Sequence, residues 1–136
     1  MNAVNWLFAA EQATGEHSEA IRWWELRRIP YNLIVGAVGI ASVVVMELIG
    51  GTIVQPGEDF VEPLGLLLGV VLLGVVANVG YTLGWILELR MPNGDPEKHR
   101  AFRIRSFRRG LRWSCALASL PTWLSLFAWL IHKVTG

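Results

Sequence analysis

The chain has 136 residues, is 53% hydrophobic, holds seven tryptophans and carries a formal net charge of +1. A chain so short and so apolar excludes several soluble domains, and a single membrane domain is the simplest interpretation. Cys115 is the only cysteine. An intrachain disulfide is therefore excluded, and the side chain reads as a small hydrophobic group rather than a reactive thiol.

The first thirty residues predict two amphipathic helices at the membrane interface. Residues 3–13 place Val4, Leu7 and Phe8 on one side at helical spacing, in a run too short to cross a bilayer. Ser18 predicts an N-cap for a second helix over residues 19–29, which Pro30 ends or bends. The segment lacks the cationic start and cleavage site of a secretory signal, so we expect the first spanning helix to direct targeting.

Three apolar runs predict membrane-spanning helices over residues 31–50, 64–89 and 113–131. Each is long enough to cross about 30 Å of hydrocarbon. Pro121 falls inside the third run, where neighbouring groups can bond the freed carbonyl of Leu117. In the second run, the pairs Gly65/Gly69 and Gly80/Gly84 would let another helix approach closely, within the chain or between copies.

The segment between the second and third spans is strongly basic. Asp95 predicts a helix cap and Pro96 the first helical position, and a basic amphipathic helix should cover residues 96–109 with Phe107 on its apolar stripe. Short cationic loops stay in the cytoplasm, so the N-terminus and loop 90–112 should lie inside and the C-terminus outside. Two regions are thus expected, an interfacial segment 1–30 and a transmembrane domain 31–136.

Cations and indoles near the predicted membrane surfaces indicate lipid contacts. Arginines in such positions bind anionic headgroups, and tryptophans settle at headgroup depth. The expected lipid-binding residues are Arg22, Arg27, Arg28, Arg100, Arg103, Arg105, Arg108 and Arg109, and the expected interfacial anchors are Trp23, Trp24, Trp85, Trp113 and Trp129.

Among the polar residues within the predicted spans, four are candidates for a role inside the membrane. Ser42, Asn78 and Thr122 lie near the bilayer centre, and Glu47 lies near the outer end of the first span. An unpaired amide in hydrocarbon costs several kcal/mol, so Asn78 should bond across helices, to a hydroxyl or to the carbonyl freed by Pro121. The polar set then either joins helices or lines a small permeation path between several copies. Glu47 either reaches the interface or takes part in function.

The run from Arg22 to Asn32 contains Trp23-Trp24-Glu25, Arg27-Arg28 and Tyr31-Asn32. It resembles a W-W-E-x-R-R-x-x-Y-N pattern found before the first span of small uncharacterised bacterial inner-membrane proteins. The resemblance covers these residues only. It implies the bacterial cytoplasmic membrane and supplies no activity.

No arrangement of residues indicates catalysis, a metal site or a cofactor site. Asp95, Glu97 and His99 are the densest titratable cluster, and a turn with a helix cap explains them. We therefore expect no enzyme and no nucleic-acid partner, but a protein that acts through helix contacts with further copies or other membrane subunits. The alternative is an oligomeric channel or transporter component. A membrane-embedded enzyme would need a site at Glu47, His132 and the outer loop.

Overall fold

The computed structural model describes residues 3–9, 17–55, 57–92 and 95–135. Over these residues the chain forms five helices and no strand: α1 Ala3–Phe8, α2 His17–Gly50, α3 Pro63–Leu89, α4 Pro96–Ala118 and α5 Leu120–Thr135. By length and composition, three stretches could cross a membrane, namely His17–Gly50, Pro63–Leu89 and Pro96–Thr135. The predicted all-α chain with three candidate spans is confirmed.

Of the two alternatives predicted for Pro30, an end of the helix is wrong, and so is the predicted end of the basic helix near residue 109. Pro30 lies inside α2, which continues for 34 residues. A proline removes one intrahelical bond, that of its own missing N–H, and buried residues on both sides of it, Trp24 and Tyr31, keep the helix packed. The basic helix does not stop near residue 109 either, because α4 runs on to Ala118. A one-residue turn at Ser119, just before Pro121, separates α4 from α5.

Helices α3 and α4 both begin at a proline that follows an acidic cap. The amide of Gly65 donates to Glu62 Oε2 at 2.7 Å, and that of Lys98 donates to Asp95 Oδ1 at 3.2 Å. The Lys98 side chain also lies 3.0 Å from Asp95 Oδ2. Both contacts with Lys98 lower the pKa of Asp95 below its ordinary value, and the contact with the Lys98 side chain has the larger effect. The predicted cap at Asp95 is confirmed; Asn93 and Gly94, from the predicted turn before it, lie outside the described residues.

Contacts group the chain into two compact units. Unit 1 comprises Met1–Leu33 and Val76–Trp113, and unit 2 comprises Ile34–Val75 and Ser114–Gly136. The sequence predicted a division of the chain at residue 30 by expected position in the membrane, and that division stays a prediction. The two units of the structure are defined by packing contacts instead.

In unit 2, hydroxyl groups join α2 to α5. The hydroxyls of Ser42 and Thr122 lie 2.9 Å apart, the Thr122 amide donates to Ser42 Oγ at 3.0 Å, and the Thr122 hydroxyl reaches the Ser42 carbonyl at 3.2 Å. Two of the predicted mid-membrane polar residues therefore satisfy each other. At the end of α2, Gly50 lies against the Phe60 ring so closely that an added Cβ would be 2.2 Å from it. A side chain at this position would displace the ring.

In unit 1, aromatic rings from three helices pack around Phe107. Its ring centroid lies 5.7 Å from that of Trp23 and 6.2 Å from those of Trp24 and Tyr31. Trp24 also packs edge-on against Tyr81 at 5.2 Å. These contacts bring α2, α3 and α4 together. The edge-to-face pairs Trp23–Phe107 and Trp24–Tyr81 each stabilise the packing by roughly 0.5–1.5 kcal/mol beyond the effect of the buried area.

Candidate functional site

The centre of unit 1 holds a buried cluster of charged side chains around Glu88. Glu88 and Arg103 are both 0% exposed. Glu88 Oε1 accepts from Arg103 Nε at 2.5 Å, and Glu88 Oε2 accepts from Trp24 Nε1 at 2.7 Å. Arg103 Nη1 donates to Glu19 Oε1 at 2.5 Å. One carboxylate and one guanidinium group thus connect α2, α3 and α4.

His99 closes one side of this cluster. Its Nδ1 lies 3.5 Å from Glu88 Oε1, and its Nε2 lies 3.3 Å from the carbonyl oxygen of Pro92. The imidazole therefore lies between the end of α3, the turn at Pro92 and α4. Asp95, Glu97 and His99, which are close in sequence, have different environments, because His99 is buried while Glu97 is exposed.

Chemically, this cluster is a set of partly matched charges removed from water. A buried carboxylate is stable only when donors surround it, and here a guanidinium and an indole donate to it. Arg103 Nη2 is buried and has no hydrogen-bond partner in the described chain. No group of three or more His, Cys, Asp or Glu residues that could hold a metal ion occurs among the described residues. The arrangement fits a structural tie between three helices.

A second buried arginine fastens the N-terminal helix. Arg27 Nε donates to the carbonyl of Leu7 at 3.0 Å, and its Nη2 donates to those of Trp6 at 2.7 Å and Ala9 at 2.9 Å. The guanidinium carbon also lies 4.1 Å from the ring centroid of Trp23. The carbonyls of Trp6 and Leu7 belong to the C-terminal end of α1, and that of Ala9 follows directly after it; a helix leaves acceptors unbonded at this end. Arg27 caps α1 from outside.

The outer surface of α4 carries a basic face. Its members are Lys98, Arg105, Arg108, Arg109 and Arg112, all exposed, and they fall within about 100° of arc at 3.6 residues per turn. No described acidic side chain lies within ion-pair distance of the four arginines. The buried residues His99, Arg103 and Phe107 occupy the opposite side at a spacing of four.

The residues expected to bind lipid divide into three groups. Arg22, Arg100, Arg105, Arg108 and Arg109 are exposed. Arg28 is half-buried and lies 3.0 Å from Glu25. Arg27 and Arg103 are buried and bonded to protein acceptors, so the headgroup role predicted for these two is wrong. The prediction placed both arginines at the membrane surface, where they would be available to lipid. In the structure, each donates hydrogen bonds to acceptors inside unit 1.

The predicted interfacial tryptophans divide in the same way. Trp113 is 67% exposed, and Trp85 and Trp129 are partly exposed. Trp23 and Trp24 are buried, and their indole N–H groups donate to the Ala9 carbonyl and to Glu88. The anchor role predicted for these two is therefore wrong, because their polar ends bond protein rather than headgroups. Glu47, in unit 2, is exposed.

Asn78 does bond across helices, and it pairs with the amide of Asn32, a partner that was not predicted from the sequence. Its Nδ2 donates to Asn32 Oδ1 at 2.9 Å, and Asn32 Nδ2 donates back to Asn78 Oδ1 at 3.3 Å. Ala77, the preceding residue, accepts from the Tyr31 hydroxyl at 3.1 Å. On the same helix, a Cβ at Gly84 would come within 3.0 Å of the Trp24 ring. Ala77 and Gly84 therefore receive side chains of α2 within unit 1, whereas a Cβ at Gly80 would meet nothing within 4 Å.

We expect the substitution Asn78→Leu to lower the free energy of unfolding by roughly 0.6–2 kcal/mol, the range for interhelical hydrogen bonds of this kind. The double variant Asn32→Leu/Asn78→Leu should lose less than the sum of the single variants, because it leaves no orphaned amide. Denaturant titration followed by tryptophan fluorescence measures all three. Additive losses would mean that the two amides do not pair.

No family model matches the chain, and neither a curated protein nor a solved structure does.

Proposed function

We propose that the chain is a multi-pass protein of the bacterial cytoplasmic membrane that binds anionic lipid through the basic face of α4 and acts through helix contacts with further copies or other membrane subunits. The observation that carries the proposal is the basic face itself. Four arginines share one exposed side of a helix without an acidic partner in the described chain, and lipid phosphates can supply the missing anions for those arginines that lie near the membrane.

The proposed orientation places the basic face in the cytoplasm. The connector between α2 and α3, residues 51–62, contains no Lys or Arg, whereas residues 90–112 contain eight. Short cytoplasmic loops carry the cations of a polytopic protein. This supports a cytoplasmic N-terminus, an outer acidic connector and an outer C-terminus.

Thiol labelling tests this orientation. With Cys115 replaced by serine, a cysteine at Glu58 should react with a membrane-impermeant maleimide added to intact cells, and one at Glu97 should react only after the membrane is opened. Both positions are exposed in the structure, so unequal reactivity reports location rather than burial. Labelling in the opposite order would reject the orientation.

Only part of the basic face can reach headgroups. Trp113 is 67% exposed and marks headgroup depth. Along α4, Arg112 lies about 1.5 Å and Arg109 about 6 Å from it at 1.5 Å rise per residue. Both lie within the Debye length of about 8 Å at physiological ionic strength. These two arginines are therefore the proposed lipid contacts closest to the membrane.

The variant Arg109→Gln/Arg112→Gln should weaken the retention of anionic lipid, since each cation near the surface contributes about 1 kcal/mol. Native mass spectra of lipid adducts in gentle detergent measure this. The matched control is Arg100→Gln/Arg105→Gln, which removes the same charge farther from Trp113 and should retain lipid as the wild type does. Equal retention by all three proteins would reject the lipid contact.

Association of helices is the second half of the proposal. Long apolar side chains along α2 and α3 are exposed, for example Ile40 at 70% and Leu72 at 65%, as lipid-facing or partner-facing surfaces require. The reciprocal Asn32–Asn78 pair satisfies the amide that a polar permeation path would have used, so helix contacts are favoured over a channel. The mass of the intact complex in gentle detergent tests association, and the mass of a single chain would contradict it.

A further inference from the structure

We propose that the part of the basic face farthest from Trp113, centred on Arg105, is a docking surface for an acidic helix of a partner protein. The inference extends the proposed function, because it assigns a second ligand to the same face of α4. It depends on three observations: the continuity of α4, the unpaired charge of Arg105 and the spacing of the exposed residues around it.

Continuity of α4 carries Arg105 away from the membrane. The helix runs without interruption from Pro96 to Ala118, so the basic segment is a direct extension of the stretch that enters the bilayer after Trp113. Arg105 is then about 12 Å and Lys98 about 22 Å from Trp113 along the axis. Spanning helices tilt by about 20° on average, which barely shortens these distances. Both exceed the Debye length of about 8 Å, so lipid phosphates attract them little.

Arg105 has no anion of its own in the described chain. Four of the five described acidic side chains of unit 1 already bind other cations: Glu19 and Glu88 bind Arg103, Glu25 binds Arg28, and Asp95 binds Lys98. Arg105 and Arg108 remain exposed, one helical turn apart, and weaken α4 by their mutual repulsion. A ligand with negative charge would relieve that repulsion.

The spacing of the exposed residues fits a helix better than an extended chain. Lys98, Ala101, Arg105, Arg108 and Arg112 are all exposed and follow one another at intervals of three and four. This interval keeps them on one line along α4, as in paired helices. The small side chain of Ala101 leaves room for a second backbone between two cations. Glutamates at the same interval on a partner helix would face this line of cations.

Binding of a model acidic helix tests the proposal. The probe is a fluorescein-labelled helical peptide with glutamates at alternating intervals of three and four, and the receptor is the full chain in nanodiscs of phosphatidylcholine. Such nanodiscs contain no anionic lipid and expose both faces. The result therefore depends neither on the lipid contact nor on the orientation proposed above. Fluorescence anisotropy measures the dissociation constant at physiological salt.

We expect Arg105→Gln to weaken binding about fivefold, which corresponds to one ion pair at the upper end of the exposed range. Arg100→Gln removes the same charge from another exposed side of α4 and should stay within about twofold of the wild type. A scrambled peptide of identical composition should bind more weakly to the wild type than the patterned one. Together these results would support docking of an acidic helix.

Three outcomes would overturn it. Equal effects of Arg105→Gln and Arg100→Gln would show that the peptide is attracted by the net positive charge of the protein and does not dock at Arg105. Equal binding of the patterned and scrambled peptides would show that the helical interval is not recognised. Tighter binding of a single-stranded oligonucleotide with the same number of charges, lost in Arg105→Gln, would assign the face to a polynucleotide instead.

Discussion

Replacing Glu88 by glutamine should lower the free energy of unfolding by about 3 kcal/mol. Removing one partner of a buried ion pair costs roughly 3–5 kcal/mol, because the remaining charge stays buried without compensation. The lower end applies here, since Arg103 keeps its bond to Glu19, which is 26% exposed. Denaturant titration in detergent, followed by tryptophan fluorescence, measures the loss. Trp24 is a direct reporter because its indole donates to Glu88.

The matched control is Glu25→Gln, which breaks the Glu25–Arg28 pair. The side chains of that pair are 49% and 34% exposed, so its loss should cost less than about 1 kcal/mol. The double variant Glu88→Leu/Arg103→Met should recover part of the loss seen in Glu88→Gln, because it removes both charges from the interior. If Glu88→Gln costs no more than Glu25→Gln, the cluster does not hold unit 1 together.

Hydropathy predicted the three candidate spans because a helix that crosses hydrocarbon of fixed thickness needs a long apolar run. Such a helix also satisfies its own backbone hydrogen bonds. Three runs in the sequence are long and apolar enough. The cap at Asp95 was equally readable, since it depends on neighbouring residues only. The continuity of α2 through Pro30 was not readable. Whether a proline ends a helix or lies inside it depends on what packs on either side, and here Trp24 and Tyr31 do so.

The cluster around Glu88 depends on contacts between residues that are distant in sequence. Composition alone therefore could not show that Arg103 is buried while neighbouring arginines are exposed. Arg103 and Arg105 are two residues apart, on nearly opposite sides of α4. One is bonded inside unit 1 and the other is exposed. Two signals were present. A single carboxylate, Glu88, ends the most apolar run and needs a partner, and His99, Arg103 and Phe107 recur every four residues on one side of α4.

Trp23 and Trp24 show the same limit. A tryptophan beside arginines suits both a headgroup layer and a packed core, because the indole has an apolar body and one donor in either place. The choice is made by acceptors that lie far along the chain. For Trp24 the acceptor is Glu88, and for Trp23 it is the carbonyl of Ala9.

Replacing Arg27 should release α1 from unit 1 while the rest of the unit stays folded. Arg27→Met removes the donor for the carbonyls of Trp6, Leu7 and Ala9, and hydrogen bonds to charged groups contribute about 1.5–3 kcal/mol each. A helix of six residues cannot persist by itself in water. Amide hydrogen exchange of residues 7–9, whose N–H groups are the ones bonded in α1, should therefore accelerate by about a hundredfold or more, which corresponds to roughly 3 kcal/mol.

Two further variants separate bonding from charge. Arg27→Lys keeps the positive charge but lacks the planar fork that reaches several acceptors, so exchange at α1 should fall between those of the wild type and Arg27→Met. Arg22→Met removes an exposed arginine from the same helix and should leave α1 protected. Amides near Glu88 report on the remainder of unit 1 and should change little in any of these proteins. If α1 stays protected in Arg27→Met, its attachment depends on Phe8 against Phe107 and on Trp23, and the guanidinium group is not its main support.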